Sequence, residues 1–267
     1  MQTCSARAVG RGAAGKRTLY LAPISGQAAF FSVWEAAVRI FDIRPYVLAA
    51  PSRILRYLGQ FPDDYFRASL LTMKHASMGF AIAIFVALFV GAAMAASSFL
   101  EHATQPVLTL IAVTPFAAYI ASLKIGLGSF SEKPVVFIVA LVSLPAFAFA
   151  AADGMRGADP SSRELLASVD ASRWEVLWHL RLPSALPSLF TAAKYNTGLA
   201  LVVAYLAEKG TGGLGEIGSR AFAANEGDRL WAAIFSMAIV GTISLVLLTA
   251  LQRAVMGWHV SQRSQHG

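Results

Sequence analysis

The chain has 267 residues, of which 56% are hydrophobic and only 14% are charged. Soluble globular domains carry about a quarter charged residues, so this composition points to lipid rather than water as the main solvent. The net charge of +7 would suit nucleic acid, but basic loops in a membrane protein serve topology and anionic headgroups, so lipid and not nucleic acid is the expected partner. One cysteine, Cys4, allows neither an internal disulfide nor a cysteine metal cluster.

Residues 1–17 form a basic tail carrying Arg7, Arg11, Lys16 and Arg17. Inside it, Gly10-Arg11-Gly12-Ala13-Ala14-Gly15-Lys16 matches a phosphate-binding loop up to the last position, where Arg17 replaces the expected Ser or Thr. Such a loop works between a strand and a helix, and no strand precedes this one, so it reads as a flexible tail. The block Thr18–Trp34 follows. It is long enough to span and lacks a small-x-small cleavage site, so it is expected to be an uncleaved first helix.

Five more blocks follow: His75–Leu100, His102–Leu123, Pro134–Ala152, Leu182–Ala207 and Leu230–Gln252, of which Leu182–Ala207 is interrupted only by Lys194. A spanning helix needs about 20 apolar residues, whereas buried helices of soluble proteins are shorter. The blocks are rich in Ala, Gly and Ser, which lets helices approach closely in lipid, and none alternates as a barrel strand would. The predicted fold is an all-α integral membrane bundle of about six transmembrane helices.

The most informative gap is residues 159–187, reading DPSSRELLASVDASRWEVLWHLRLPSALP. Asp159 before Pro160 is a helix start, and the first short helix is expected over Pro160–Ser168. Asp170 interrupts the pattern. A second short helix is expected from Ala171 to Leu180, with Trp174, Leu177 and Trp178 on one side and Pro183 ending it.

Here the residues resemble a known family. Glu164, then Asp170-Ala171-Ser172-Arg173-Trp174, then Leu182-Pro183 and Ala185-Leu186-Pro187, are similar to the Glu-Ala-Ala loop of ABC importer permeases. The flanks are similar to the nitrate, sulfonate, taurine and thiamine-precursor branch of the type I importer fold. Pro51-Ser52 with Ile54-Leu55, Pro106 through Thr114-Pro115, Gly212-Gly213-Leu214-Gly215 and Trp258-His259 extend the likeness over Tyr46 to His259.

The resemblance implies a permease domain over residues 18–259, a kinked cytoplasmic coupling loop at 159–187, and cytoplasmic tails at 1–17 and 260–267. It implies a second permease subunit as a homodimer, separate cytoplasmic ATP-binding subunits holding ATP and magnesium, and an extracytoplasmic solute-binding protein. The chain itself is expected to be no enzyme and to carry no cofactor or metal. The resemblance implies a place in the bacterial inner membrane with both termini inside. Carried over by position, Glu164, Leu165, Leu166, Asp170, Ala171, Ser172, Arg173, Trp174, Leu182 and Pro183 belong to the coupling loop. Leu165 and Leu166 stand where the family has alanines, and Asp170 stands where it has glycine; Asp tolerates the positive φ that such a glycine serves.

Four residues are candidates for the solute pathway: Lys124, Lys194, Tyr205 and Glu208. Ionisable groups inside spans are functional candidates by default, and a lysine facing the pathway would favour an anionic solute. The branch has an acidic residue about seven before the glycine loop; here Tyr205 holds that position and Glu208 lies one turn later. Charge leaves orientation open, since six crossings put eleven basic residues on each side. A secondary transporter or channel is the alternative, although no internal repeat supports it.

Overall fold

In a computed structural model, which describes residues 12–256 and the side chains from residue 24 onward, every regular element is helical. They are α1 (Gly12–Ile40), α2 (Pro51–Gln60), α3 (Pro62–Ala96), α4 (Ser98–Val113), α5 (Phe116–Leu127), α6 (Lys133–Arg156), α7 (Pro160–Ser168) and α8 (Arg173–Val176). A π-helical turn (Leu177–Arg181), α9 (Leu182–Ala207), α10 (Leu214–Ala223) and α11 (Gly227–Val255) complete the order. The basic tail through Arg11 and the Trp258-His259 pair lie outside the described residues.

The centre is a parallel pair, α3 and α6, clasped by α9. Ala76, Gly79, Ala83, Ala87 and Gly91 of α3 are buried at helical spacing. A side chain on Gly79 would collide with Val139, and one on Gly91 with Ala151, so glycine at both positions permits the backbones to meet. Phe80 packs edge-on against Phe147 at 5.1 Å between centroids. α9 runs antiparallel to α6: its start meets Gly154 through Ala185, and its far half packs Ala200, Val203 and Ala204 against Val135 and Ile138. α1 runs antiparallel to α11, with Phe31 on Phe235 and Trp34 on Trp231. The molecule therefore has two ends. Residues 157–184 cap one, and residues 41–61, 128–132 and 208–226 cap the other, called here the far end.

Among the described residues four helices are long and apolar enough to cross a membrane: Pro62–Ala96, Lys133–Arg156, Arg173–Ala207 and Gly227–Val255. The block expected at His102–Leu123 is instead a broken span, α4 and α5 meeting at 92°, which brings the number to five. Pro115 explains the break, because a proline pushes the residue before it out of the helical region, and Thr114 sits at φ −72°, ψ 126°. The Thr18–Trp34 block lies inside α1, which is not among these spans; Glu35 and Arg39 in its last turns and Gln27 in its middle lower its hydropathy.

Two boundaries also move. α3 begins at Pro62, so Lys74 and His75 stand inside a helix and not at its edge. Pro183 does not end the second short helix; α8 passes through the π turn directly into α9. Proline is tolerated in a first helical turn, and the wider turn, where the Leu182 N–H donates to the Leu177 carbonyl, accommodates the lost donor and the ring.

Candidate functional site

The segment of residues 159–184, expected to be the coupling loop, is built by local capping. Asp159 accepts hydrogen bonds from the Ser162 N–H at 3.0 Å and hydroxyl at 2.8 Å, and these hold its carboxyl below the usual carboxylate range. α7 ends in a Schellman turn: the Ala171 N–H donates to the Leu166 carbonyl and the Asp170 N–H to the Ala167 carbonyl. Asp170, at φ 51°, is the left-handed residue that this turn requires. α8 opens with a capping box, the Ser172 N–H donating to Glu175 at 2.7 Å and the Glu175 N–H to Ser172 Oγ at 3.3 Å. The Ser-x-x-Glu spacing announces that box in the sequence.

These turns fix which side chains protrude. Leu165 and Val169 are each 67% exposed, Trp174 70% and Trp178 63%. Glu164, Ser172 and Arg173 are exposed as well, while Leu166, Ala171, Leu182 and Pro183 are half-buried. Leu177 departs from the expected face: it is half-buried and packs against the apolar core to which Ala185 and Leu189 belong. A cavity of 680 Å³ separates the segment from the end of α3, with Arg163, Arg173 and Arg181 around it and Ala92 and Ala96 opposite.

The far end is closed by a buried polar cluster. Glu208 is fully buried, and its carboxylate accepts from Thr72 Oγ1 at 2.7 Å and from the Gly215 N–H at 3.0 Å. His75 Nδ1 lies 2.8 Å from Glu208 Oε1, within hydrogen-bond distance. Thr72 in turn accepts from the Leu214 N–H at 3.0 Å. The carboxylate thus caps the first turn of α10 from outside, at the positive end of its dipole. Side chains on Gly213 or Gly215 would collide with Glu208 and the Tyr205 carbonyl. Glycine at both lets the turn close on the carboxylate. His75 Nε2 points toward Glu132, 3.7 Å away, and Lys74 bonds the same carboxylate at 2.7 Å, holding it below its ordinary range.

Of the four pathway candidates, Lys124, Tyr205 and Glu208 share the far end, with Glu208 within electrostatic reach of the other two, and Lys194 stands apart. Tyr205, three residues before Glu208, faces α10, with its hydroxyl against Gly218. Lys194 donates to Gln252 Oε1, tying α9 to α11. Lys124 donates to the Lys209 carbonyl and lies beside a 520 Å³ cavity with Lys209, Glu216 and Arg220. Thr72 and His75 are partners that the sequence reading missed; His75 was visible only as the polar start of an apolar block. Among the described residues no cluster of His, Cys, Asp and Glu could hold a metal.

A kinked, self-capped segment projecting from one end of a bundle of long apolar helices defines the permease of a type I ABC importer. The chain belongs to the family described as the binding-protein-dependent transport system inner membrane component, whose model matches residues 79–260. It is 28% identical over 241 residues to the taurine transport system permease protein TauC of Escherichia coli, covering 87% of each chain. It is 24% identical to the formylaminopyrimidine transport permease protein ThiX of Halalkalibacterium halodurans, covering 86% of this chain and 92% of that one. In fold it is similar to the inward-facing MetNI methionine ABC transporter, with a TM-score of 0.64, 16% identity, and 72% and 95% of the two chains covered. It is thus a multi-pass inner-membrane transport permease.

Proposed function

We propose that this chain moves a small anionic or heterocyclic solute across the membrane, driven by ATP hydrolysis on a separate subunit that residues 159–187 engage. The observation that carries this reading is the exposed apolar edge of Leu165, Val169, Trp174 and Trp178 on a segment whose own polar groups are already capped. Large apolar groups at such exposure on a stiff element are what a complementary cleft would cover. Glu164 and Arg173, exposed beside them, give that contact polar specificity. Placing this end in the cytoplasm puts α1's start and α11's end there too, and the remaining partners are a second copy of this chain and an extracytoplasmic binding protein.

The solute class is argued from Lys124, beside the cavity it shares with Lys209, Arg220 and Glu216, where three cations outnumber one carboxylate. The names of the relatives, taurine and formylaminopyrimidine, span both classes. The test is co-purification of the chain with its ATP-binding subunit, before and after scrambling residues 159–183. An unchanged complex would sink the coupling assignment. The broken α4–α5 span is the one feature shared with secondary transporters. Uptake that persists without any ATPase would favour that reading.

A further inference from the structure

The helix that carries the coupling segment is built differently at its two ends. It runs unbroken from Arg173 to Ala207, 35 residues. Its first part contains the π turn, Pro183 and Pro187, and residues 176–184 are at most half-buried. The cavity between this part and Ala92 and Ala96 of α3 leaves it room to move. The residue just past its other end is Glu208, fully buried and held by Thr72 and His75 of α3 and by the α10 amide of Gly215.

We propose that Glu208, with Thr72 and His75, is a fixed pivot, a positioning residue that keeps the end of α9 on α3 while the coupling segment moves. The physical reason is the cost of leaving the carboxylate unpaired. Sliding α9 along its axis by one residue, about 1.5 Å, would stretch all three hydrogen bonds of a buried charge at once. Tilting about Glu208 stretches none of them, and the compliant π turn and prolines accept the displacement at the other end. Gly213 and Gly215 reinforce the pivot, because the turn closes directly on the carboxylate and leaves no slack. Displacement of the coupling segment is thereby converted into a swing of α9 against α6 and α11. The proposal rests on the coupling role assigned above.

The test uses the assembled transporter in proteoliposomes, with spin labels placed in pairs. One pair, Leu70→Cys with Lys209→Cys, straddles the clasp at two exposed positions. The other, Phe99→Cys with Ser161→Cys, straddles the coupling end at two exposed positions outside the apolar docking edge. Between nucleotide-free and ATP-bound states the coupling pair should shift by several ångströms, on the scale of helix and hinge movements, while the clasp pair stays within about 1 Å. A clasp pair that moves as far as the coupling pair overturns the pivot alone. If neither moves and no ATPase co-purifies, the coupling assignment fails and the pivot falls with it.

Glu208→Gln supplies the second readout, since it keeps the volume and an acceptor but removes the charge. Hydrolysis per complex should stay within about twofold while solute moved per ATP falls about tenfold, the size of an ordinary coupling term. Parallel loss of both activities, or loss of neither, contradicts a pivot. Should this variant fail to assemble, the labelled chain with Glu208 intact still decides.

Discussion

Glu35 and Glu208 perform the same task in two different solvents. Each is a carboxylate near the end of one helix that caps the first turn of the next. Glu35 accepts from the Ser52 N–H at 3.0 Å and hydroxyl at 2.7 Å at the start of α2, and Glu208 accepts from Gly215 at the start of α10. Glu35 is partly exposed beside Arg39, with water available to replace a lost bond. Glu208 has no exposure and no such substitute. The cap at α2 is an adjustable joint, whereas the cap at α10 holds only while every partner is in place.

The largest effect should therefore come from Glu208→Ala. It leaves Thr72, His75 and the Gly215 N–H buried without their acceptor and should cost about 3–5 kcal/mol, read as lost thermal stability in detergent. Glu35→Ala in the same assay should be far milder; equal losses would end the contrast. Gly218→Ala comes next, because a methyl there lands on the Tyr205 hydroxyl and must displace the ring, at about 1–3 kcal/mol.

At the coupling end, Asp170→Val forces a β-branched residue into the left-handed region at about 1–2 kcal/mol and should weaken ATPase co-purification. Asp170→Gly should restore it, which a role for the carboxylate itself would not allow. Ser172→Ala, removing half of the capping box, should cost about 1 kcal/mol and loosen α8 without changing the far end.

The smallest effect is a pH dependence at Glu35. Bonding to the Ser52 N–H, and then to its hydroxyl, lowers the Glu35 carboxyl from 4.5 to about 2. A carboxyl depressed in the folded state stabilises fully above its unfolded value. That contribution is lost as pH falls from about 4.5 toward 2. Glu35→Gln should remove this acid limb. Fluorescence of Trp34, the neighbour of Glu35, in a background with the other tryptophans replaced, would show it through the Trp34–Phe31 stack.

The coupling segment was legible in the sequence because its structure is made by neighbours. The Asp159 cap, the α7 boundaries at Pro160 and Ser168, and the positive φ of Asp170 all follow from side chains within a few residues. The passage through Pro183 was not legible. Proline opposes a helix locally, and it is the π turn, with Ala185 buried and Leu177 half-buried against the core, that supports the continuous rod. Lys194 was expected as a pathway candidate, and its hydrogen bond to Gln252, 58 residues away, is a tertiary fact.

By itself the sequence determined the class of this protein. Uncharged blocks of spanning length must leave water, and backbone groups that leave water must bond within helices. It determined the capped turns of residues 159–175 as well, since capping acts over three or four residues. Only the tertiary structure decided what Glu208 is. Its position beyond the end of α9 fits a solvated helix-end charge equally well. Burial comes from Thr72 and His75, more than 130 residues earlier, and from glycines that admit no side chain. The energy of a buried charge depends on all its partners at once, and no local pattern records partners so far apart.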